Sequence, residues 1–485
     1  MRVTGSIATA PGTPALREGP RDVPEGRLER ALARVDPAWI GALFVLAALA
    51  VYVASNPARQ NFYNHFVWQA DAFLHGQASI PYPVATGPVQ NIYFQDVLPA
   101  PPLGPAGITN PPIPEGRALL PFPPLPAVVL LPFVALWGLS TNAALIAAVL
   151  GALNVGLCWR MVLRVTPRRD AAVLATIFYA FGTVAWYAAM LGSTWFLAHV
   201  VASTFLFLAI AAALDAEARE RVTAATGRVF RLAGLIDWRQ FVAGILFGTA
   251  ALARLTTLFG APFFVFVGGG GSYVRRAVSA GLGALVPVGL LLLYNVATTG
   301  HVFHPAYDYL RENEHRPVPA FYHADWGIED LRYVAQNAPI LLSWLPLSPL
   351  NTDACRDEPA PTGLGLLADE NCALLQPDPV GMGLFLTSPA YLLAVPLVLM
   401  AGMRRRLVAG AALAVFSIAI VNLMHFSQGW VQFGYRFSND FAPFAMVLVA
   451  LAIARFRVSW ITAGLVGASV AINAWGVYWG VVKGW

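Results

Sequence analysis

The sequence predicts an all-α polytopic membrane protein, and three observations lead there. Charged residues make up only 12% of the chain and hydrophobic ones 57%, with a mean hydropathy of +0.60. A soluble domain carries about 25% charged residues. Apolar runs of near-spanning length recur along the chain. Most of the 31 Lys and Arg fall in every second connection between those runs, which is the bias expected of cytoplasmic loops. The net charge of +5 is therefore a matter of membrane topology, and no nucleic-acid partner is expected.

Residues 1–37, rich in Ala, Pro, Arg and Glu and without an apolar h-region, read as a mobile cytoplasmic tail. The run at 38–55 then reads as an uncleaved anchor. It begins a transmembrane module, 38–297, whose first outer segment is 56–120. Runs near 142–163, 171–190, 196–214 and 281–297 each read as one span. The stretch at 121–138 carries too many prolines for a plain span and reads as a short interfacial or re-entrant helix. Phe241 to Gly269 is too long for one upright helix and has Arg254 in its middle. It reads as two short helices meeting at the far surface, with Arg254 at the bend. A second outer segment, 298–382, precedes C-terminal membrane helices within 383–485, near 383–401, 407–424, 441–454 and 459–480. The total is about 11 spans with the N-terminus inside. All eight histidines then fall outside, as do both long polar segments, so chemistry is expected on the extracytoplasmic face of a multi-pass cell-membrane protein.

Within the first outer segment, Gln60 to Gly76 is amphipathic at helical spacing. Asn61, Asn64, His65, Trp68, Asp71 and His75 share one arc, so the segment reads as a helix at the membrane surface with its polar face turned away from lipid. Cys355 and Cys372 lie in the second outer segment and are expected to form a disulfide in an oxidising compartment. Cys158, inside a span, reads as a small packing residue. No HExxH or paired CxxC occurs, so no structural metal and no cofactor are expected, although a divalent cation is left open.

Four stretches occur in an order that resembles the integral-membrane GT-C glycosyltransferases, the superfamily of protein O-mannosyltransferases and aminoarabinose transferases. They are GRALLPFPPLPAVVLLPFVALWG (Gly116–Gly138), GTAALARLTTLFGAPF (Gly248–Phe263), LYNVATTGHVFHPAY (Leu293–Tyr307) and FGYRFSNDFAPF (Phe433–Phe444). The resemblance implies transfer of a sugar from a polyprenyl-phosphate carrier to a lipid, glycan or protein acceptor at the outer face. It also implies a first-loop Asp as general base. The chemistry requires one, because the acceptor hydroxyl loses its proton as it attacks the anomeric carbon. Arginine would hold the leaving phosphate.

The chain departs from that family at the base. The position of the family's Asp falls near Asn61, and an amide cannot accept the proton. The role then passes to Asp71, which shares the polar arc with Asn64, His65 and His75, or next to Asp96 in the Pro-rich loop. Asp71 also fits a solvated charge on an interfacial helix. Arg254 is costly in so apolar a run unless it meets water or an anion, and a lipid phosphate would suit it as well as a headgroup would. Arg436 and Asp440 are four apart and could pair on one helix face, or Asn439 or Asp440 could cap the helix ahead of Pro443. Tyr307, which opens the second outer segment, is a candidate for lining the acceptor side. Two rival classes stay open: a transporter or flippase of lipid-linked sugars, and a GT-C-like assembly protein that has lost its base.

Overall fold

Asp36 and Pro37 start the first spanning helix, Pro37–Ala54. The Asp36 carboxylate accepts from the Ala38 N–H at 2.8 Å, and proline at the first position has no N–H to leave unpaired. Gly41 lets this helix close on Trp159, whose indole N–H reaches the Pro37 carbonyl at 2.9 Å. The computed structural model describes residues 26–58, 63–82, 96–225, 236–307, 309, 323–351, 355, 361–369, 371–429 and 431–483. Asn61 lies outside that set.

Seven helices are long and apolar enough to cross a membrane: Pro37–Ala54, Ala143–Val165, Thr194–Arg221, Tyr273–Thr299, Arg406–Met424, Ser438–Phe456 and Trp460–Val481. The bent pair Arg169–Phe181 and Ala185–Leu191, broken by 46°, adds an eighth if taken as one span. Three further apolar helices are shorter: Leu125–Ser140, Leu255–Phe266 and Pro389–Ala401. The run expected to span at 383–401 is thus a series of short pieces, interrupted at Ser388–Pro389 where proline cannot continue a helix. Ser438–Phe456 is the hub, with 78% of its apolar window enclosed against 22% for Pro37–Ala54.

The bend at Arg254 is where the sequence places it. Trp238–Ala251 ends, Arg254 adopts an extended conformation, and a short helix restarts at Leu255. Trp238–Ala251 lies tightly along Tyr273–Thr299, because a Cβ at Gly244 or Gly283 would run into the facing backbone.

The chain is mostly helical, consistent with an all-α polytopic membrane protein, but one expectation needs correction in the first polar segment. The helix there, His65–Leu74, is not a surface helix over its first half: His65, Phe66, Val67, Trp68 and Gln69 are all buried. It is covered by the short Leu125–Trp137 helix and by a small antiparallel sheet. Strands β1 (Ile80–Pro81), β2 (Leu98–Pro99) and β3 (Arg117–Leu119) take the order β1-β3-β2, with Ile80 opposite Ala118 and Leu98 opposite Leu119. Strands of two or three residues carrying prolines leave no period-two pattern to read.

Cys355 and Cys372 are joined by a disulfide across 17 positions. Closing a loop of that size contributes about 3 kcal/mol. Cys355→Ser should therefore make the second polar segment more sensitive to limited proteolysis. Equal cleavage of wild type and variant would show that the bond adds no local stability.

Candidate functional site

A dense polar cluster lies where the Ser438–Phe456 helix begins. Asp440 is fully enclosed, and its carboxylate is saturated. Oδ1 accepts from Arg254 Nε at 3.2 Å and meets His199 Nδ1 at 2.8 Å. Oδ2 accepts from Arg254 Nη2 at 3.0 Å, Thr256 Oγ1 at 2.7 Å and Asn422 Nδ2 at 3.3 Å. A buried carboxylate is tolerable only with this degree of pairing. Both sequence readings of Asp440 are therefore corrected. It makes no side-chain cap, and it pairs with Arg254, not with Arg436 four residues earlier. Its work is to neutralise Arg254 and hold that guanidinium at the bend, where the side chain keeps 20% of its surface open.

Arg436 is left differently. Its Nε is buried with no hydrogen-bond partner, and among the described residues no carboxylate forms an ion pair with it. Aromatic rings surround it: the guanidinium carbon is 5.2 Å from the Phe437 centroid, 5.8 Å from Phe196 and 6.0 Å from Trp195. Phe437 also carries Arg254 at 5.2 Å, so one ring separates the two cations. Burial, and then the Arg254 charge, push the Arg436 group down to about 10, still charged at neutral pH. Asp96 and Asp440 act on it through space and partly offset that fall, but neither forms a direct ion pair with it.

Asp96 is the carboxylate nearest to this arrangement in electrostatic effect. It sits two residues before β2 in a left-handed conformation, φ 57°, and Oδ2 accepts from the Trp195 indole N–H at 2.9 Å. Burial raises its proton affinity above that of an ordinary aspartate, while Trp195, Arg436 and His425 act against that rise. Tyr307 is buried enough to be pushed up to about 12, and it feels Arg254, Asp96 and Glu329. Non-glycine residues with positive φ are costly and cluster at functional sites. Tyr63 and Asp96 have this geometry and both touch Trp195; Val431 has it five residues before Arg436.

The structure thus brings Asp96, Arg254, Tyr307, Arg436 and Asp440 to one end of the bundle, from distant parts of the chain. Asp71 is placed apart. It meets His75 at 3.7 Å, and among the described residues it makes no ion pair with an arginine. His65 is buried, with Nδ1 2.7 Å from Thr194 Oγ1, and serves as a wall behind Trp195 at 6.1 Å. Asn64 is buried at the N-cap position of the His65–Leu74 helix. No metal-binding group of three or more His, Cys, Asp or Glu occurs among the described residues.

Sequence reasoning missed Trp195, Thr256, Asn422 and Phe437. It counted His199 only as one of several outer histidines. One signal was available: Trp195 and His199 are four apart at the start of a long helix and so share a face. No family model, no curated protein and no solved structure matches the chain.

Proposed function

We propose that the chain is a membrane glycosyltransferase of GT-C type, moving a sugar from a polyprenyl-phosphate carrier to a lipid, glycan or protein acceptor. The observation that carries this reading is Arg436, a guanidinium whose Nε has no hydrogen-bond partner and which makes no direct ion pair among the described residues, in an aromatic-walled recess within reach of the Asp96 charge. In the reaction, an acceptor hydroxyl oxygen bonds to the anomeric carbon as the bond from that carbon to the phosphate oxygen breaks. Asp96 takes the hydroxyl proton, and the phosphate leaves with the electron pair. Arg436 holds the negative charge that remains, with Arg254 beside it. Asp96 is preferred to Asp71 as base because it feels the Arg436 charge, whereas Asp71 meets His75 at 3.7 Å.

In this reading the seven long helices and the bent pair are joined by Trp238–Ala251, Leu255–Phe266 and Pro389–Ala401 to make 11 crossings. The N-terminus is cytoplasmic and the site opens on the extracytoplasmic face. Cation placement supports that orientation.

Purified protein offered a panel of polyprenyl-phosphate sugars should release polyprenyl phosphate from at least one of them. Arg436→Gln should weaken donor binding about tenfold to a hundredfold, the range for a charged hydrogen bond. Tight binding of a lipid-linked sugar with transbilayer movement and no release would support a flippase instead. Binding without either would support an inactive scaffold.

A further inference from the structure

Trp195 occupies a position that no motif marks. Its indole N–H meets Asp96 Oδ2 at 2.9 Å, Tyr63 leans on its ring at 4.9 Å, His65 closes the other side at 6.1 Å, and Arg436 lies 6.0 Å from the ring centre. One side chain therefore touches the carboxylate, the cation and both walls of the recess. It stands at the start of the Thr194–Ala225 helix, whose first residue is tied to His65 through the Thr194 hydroxyl.

We propose that Trp195 is a positioning residue for Asp96: its N–H fixes Oδ2 and leaves Oδ1 as the oxygen that accepts a proton. This deepens the transferase reading and rests on it for its purpose, though not for its chemistry. A carboxylate free to rotate would present either oxygen and either lone-pair direction. One held at a single oxygen presents a defined acceptor, which is what an in-line attack needs.

The same bond sets how readily Asp96 holds its proton. An indole N–H can only donate, so it favours the charged carboxylate over the neutral acid. The other groups facing Asp96 are Arg436 and His425, which act in the same direction, and Tyr307, which lies close enough to feel its charge. His425 is itself paired with Glu329 at 2.7 Å. Removing the N–H while keeping an aromatic ring should therefore move Asp96 toward its neutral form and leave those three groups in place.

Trp195→Phe is the variant to make. Infrared difference spectra of protein carrying carbon-13 aspartate, titrated with acid, report protonation directly, and Asp96→Asn identifies the Asp96 band. The titration midpoint should rise by about one pH unit in Trp195→Phe, the size of a typical hydrogen-bond effect on a carboxylate. An unmoved midpoint in folded protein overturns the proposal. If Trp195→Phe does not fold, fluorine NMR of wild-type protein carrying 5-fluorotryptophan decides. The Trp195 resonance should titrate together with Asp96 and lose that response in Asp96→Asn; a resonance indifferent to Asp96 overturns the proposal. Where a donor is turned over, the acid limb of kcat/KM should shift by the same amount, whereas a merely structural loss would lower the rate equally at every pH. A shifted midpoint without turnover of any donor sustains the positioning role and sinks the transferase reading. Turnover with an unmoved midpoint does the reverse.

Discussion

Asp440→Ala should destabilise the protein by about 3–5 kcal/mol, the largest loss expected of any single substitution in the cluster, because it removes the carboxylate that four side chains meet, two of them buried. Arg254, His199, Thr256 and Asn422 all meet this carboxylate. Without it the Arg254 charge stays in the bend with no carboxylate paired to it among the described residues, facing the Phe437 ring and the Tyr307 and Tyr435 side chains. The measurement is thermal melting of purified protein in lipid nanodiscs. Arg254→Met on the Asp440→Ala background should recover part of the loss, since it removes the stranded charge. A melting point within about a degree of wild type would show that the cluster is dispensable to the fold.

Asp96→Asn should lower kcat/KM by about a hundredfold to ten-thousandfold on any donor the wild type turns over. Asp71→Asn should stay within a few-fold. The sign on stability runs the other way. Burial raises the proton affinity of Asp96 in the folded protein, so at neutral pH its charge opposes folding, and that opposition is relieved as pH falls through the raised value. The neutral amide should therefore melt no lower than wild type. The same shift predicts that wild-type kcat/KM falls on the acid side at a pH above the roughly 3.9 of free aspartate, since only the ionised form accepts the proton. Steady-state rates across pH, with melting curves on the same samples, check both. Loss of rate in Asp71→Asn with Asp96→Asn unaffected would return the role to the helix.

What the sequence made legible was what repeats locally. Apolar runs mark the spanning helices, and Arg254 in a long run marks the break, because a charge in lipid has few places to go. Asp71 was read as the better base because a helical wheel can place it; Asp96 lies in an irregular loop where no periodicity assigns a face. Its position comes from strand pairing of Leu98 with Leu119 and from an indole 99 positions away. The Asp440 cluster was half legible. A four-residue spacing suggested Arg436 as its partner, yet the partner is 186 positions back, chosen by helix packing that no local pattern encodes.

That separation has a consequence for how the chain is made. Ribosomes add about 5–20 residues per second, so Asp440 emerges about 10–40 s after Arg254. His199, 241 positions before Asp440, waits longer still. During that interval the first half of the bundle sits in the bilayer with its polar centre uncompensated. The Arg254 bend, open on one side, can shelter among lipid headgroups or within an insertase until the hub helix arrives. Translation stalled between Arg254 and Asp440 should thus leave a nascent chain that is inserted but not yet closed, exposed to quality-control proteases at the end where the finished protein carries the Asp440 cluster.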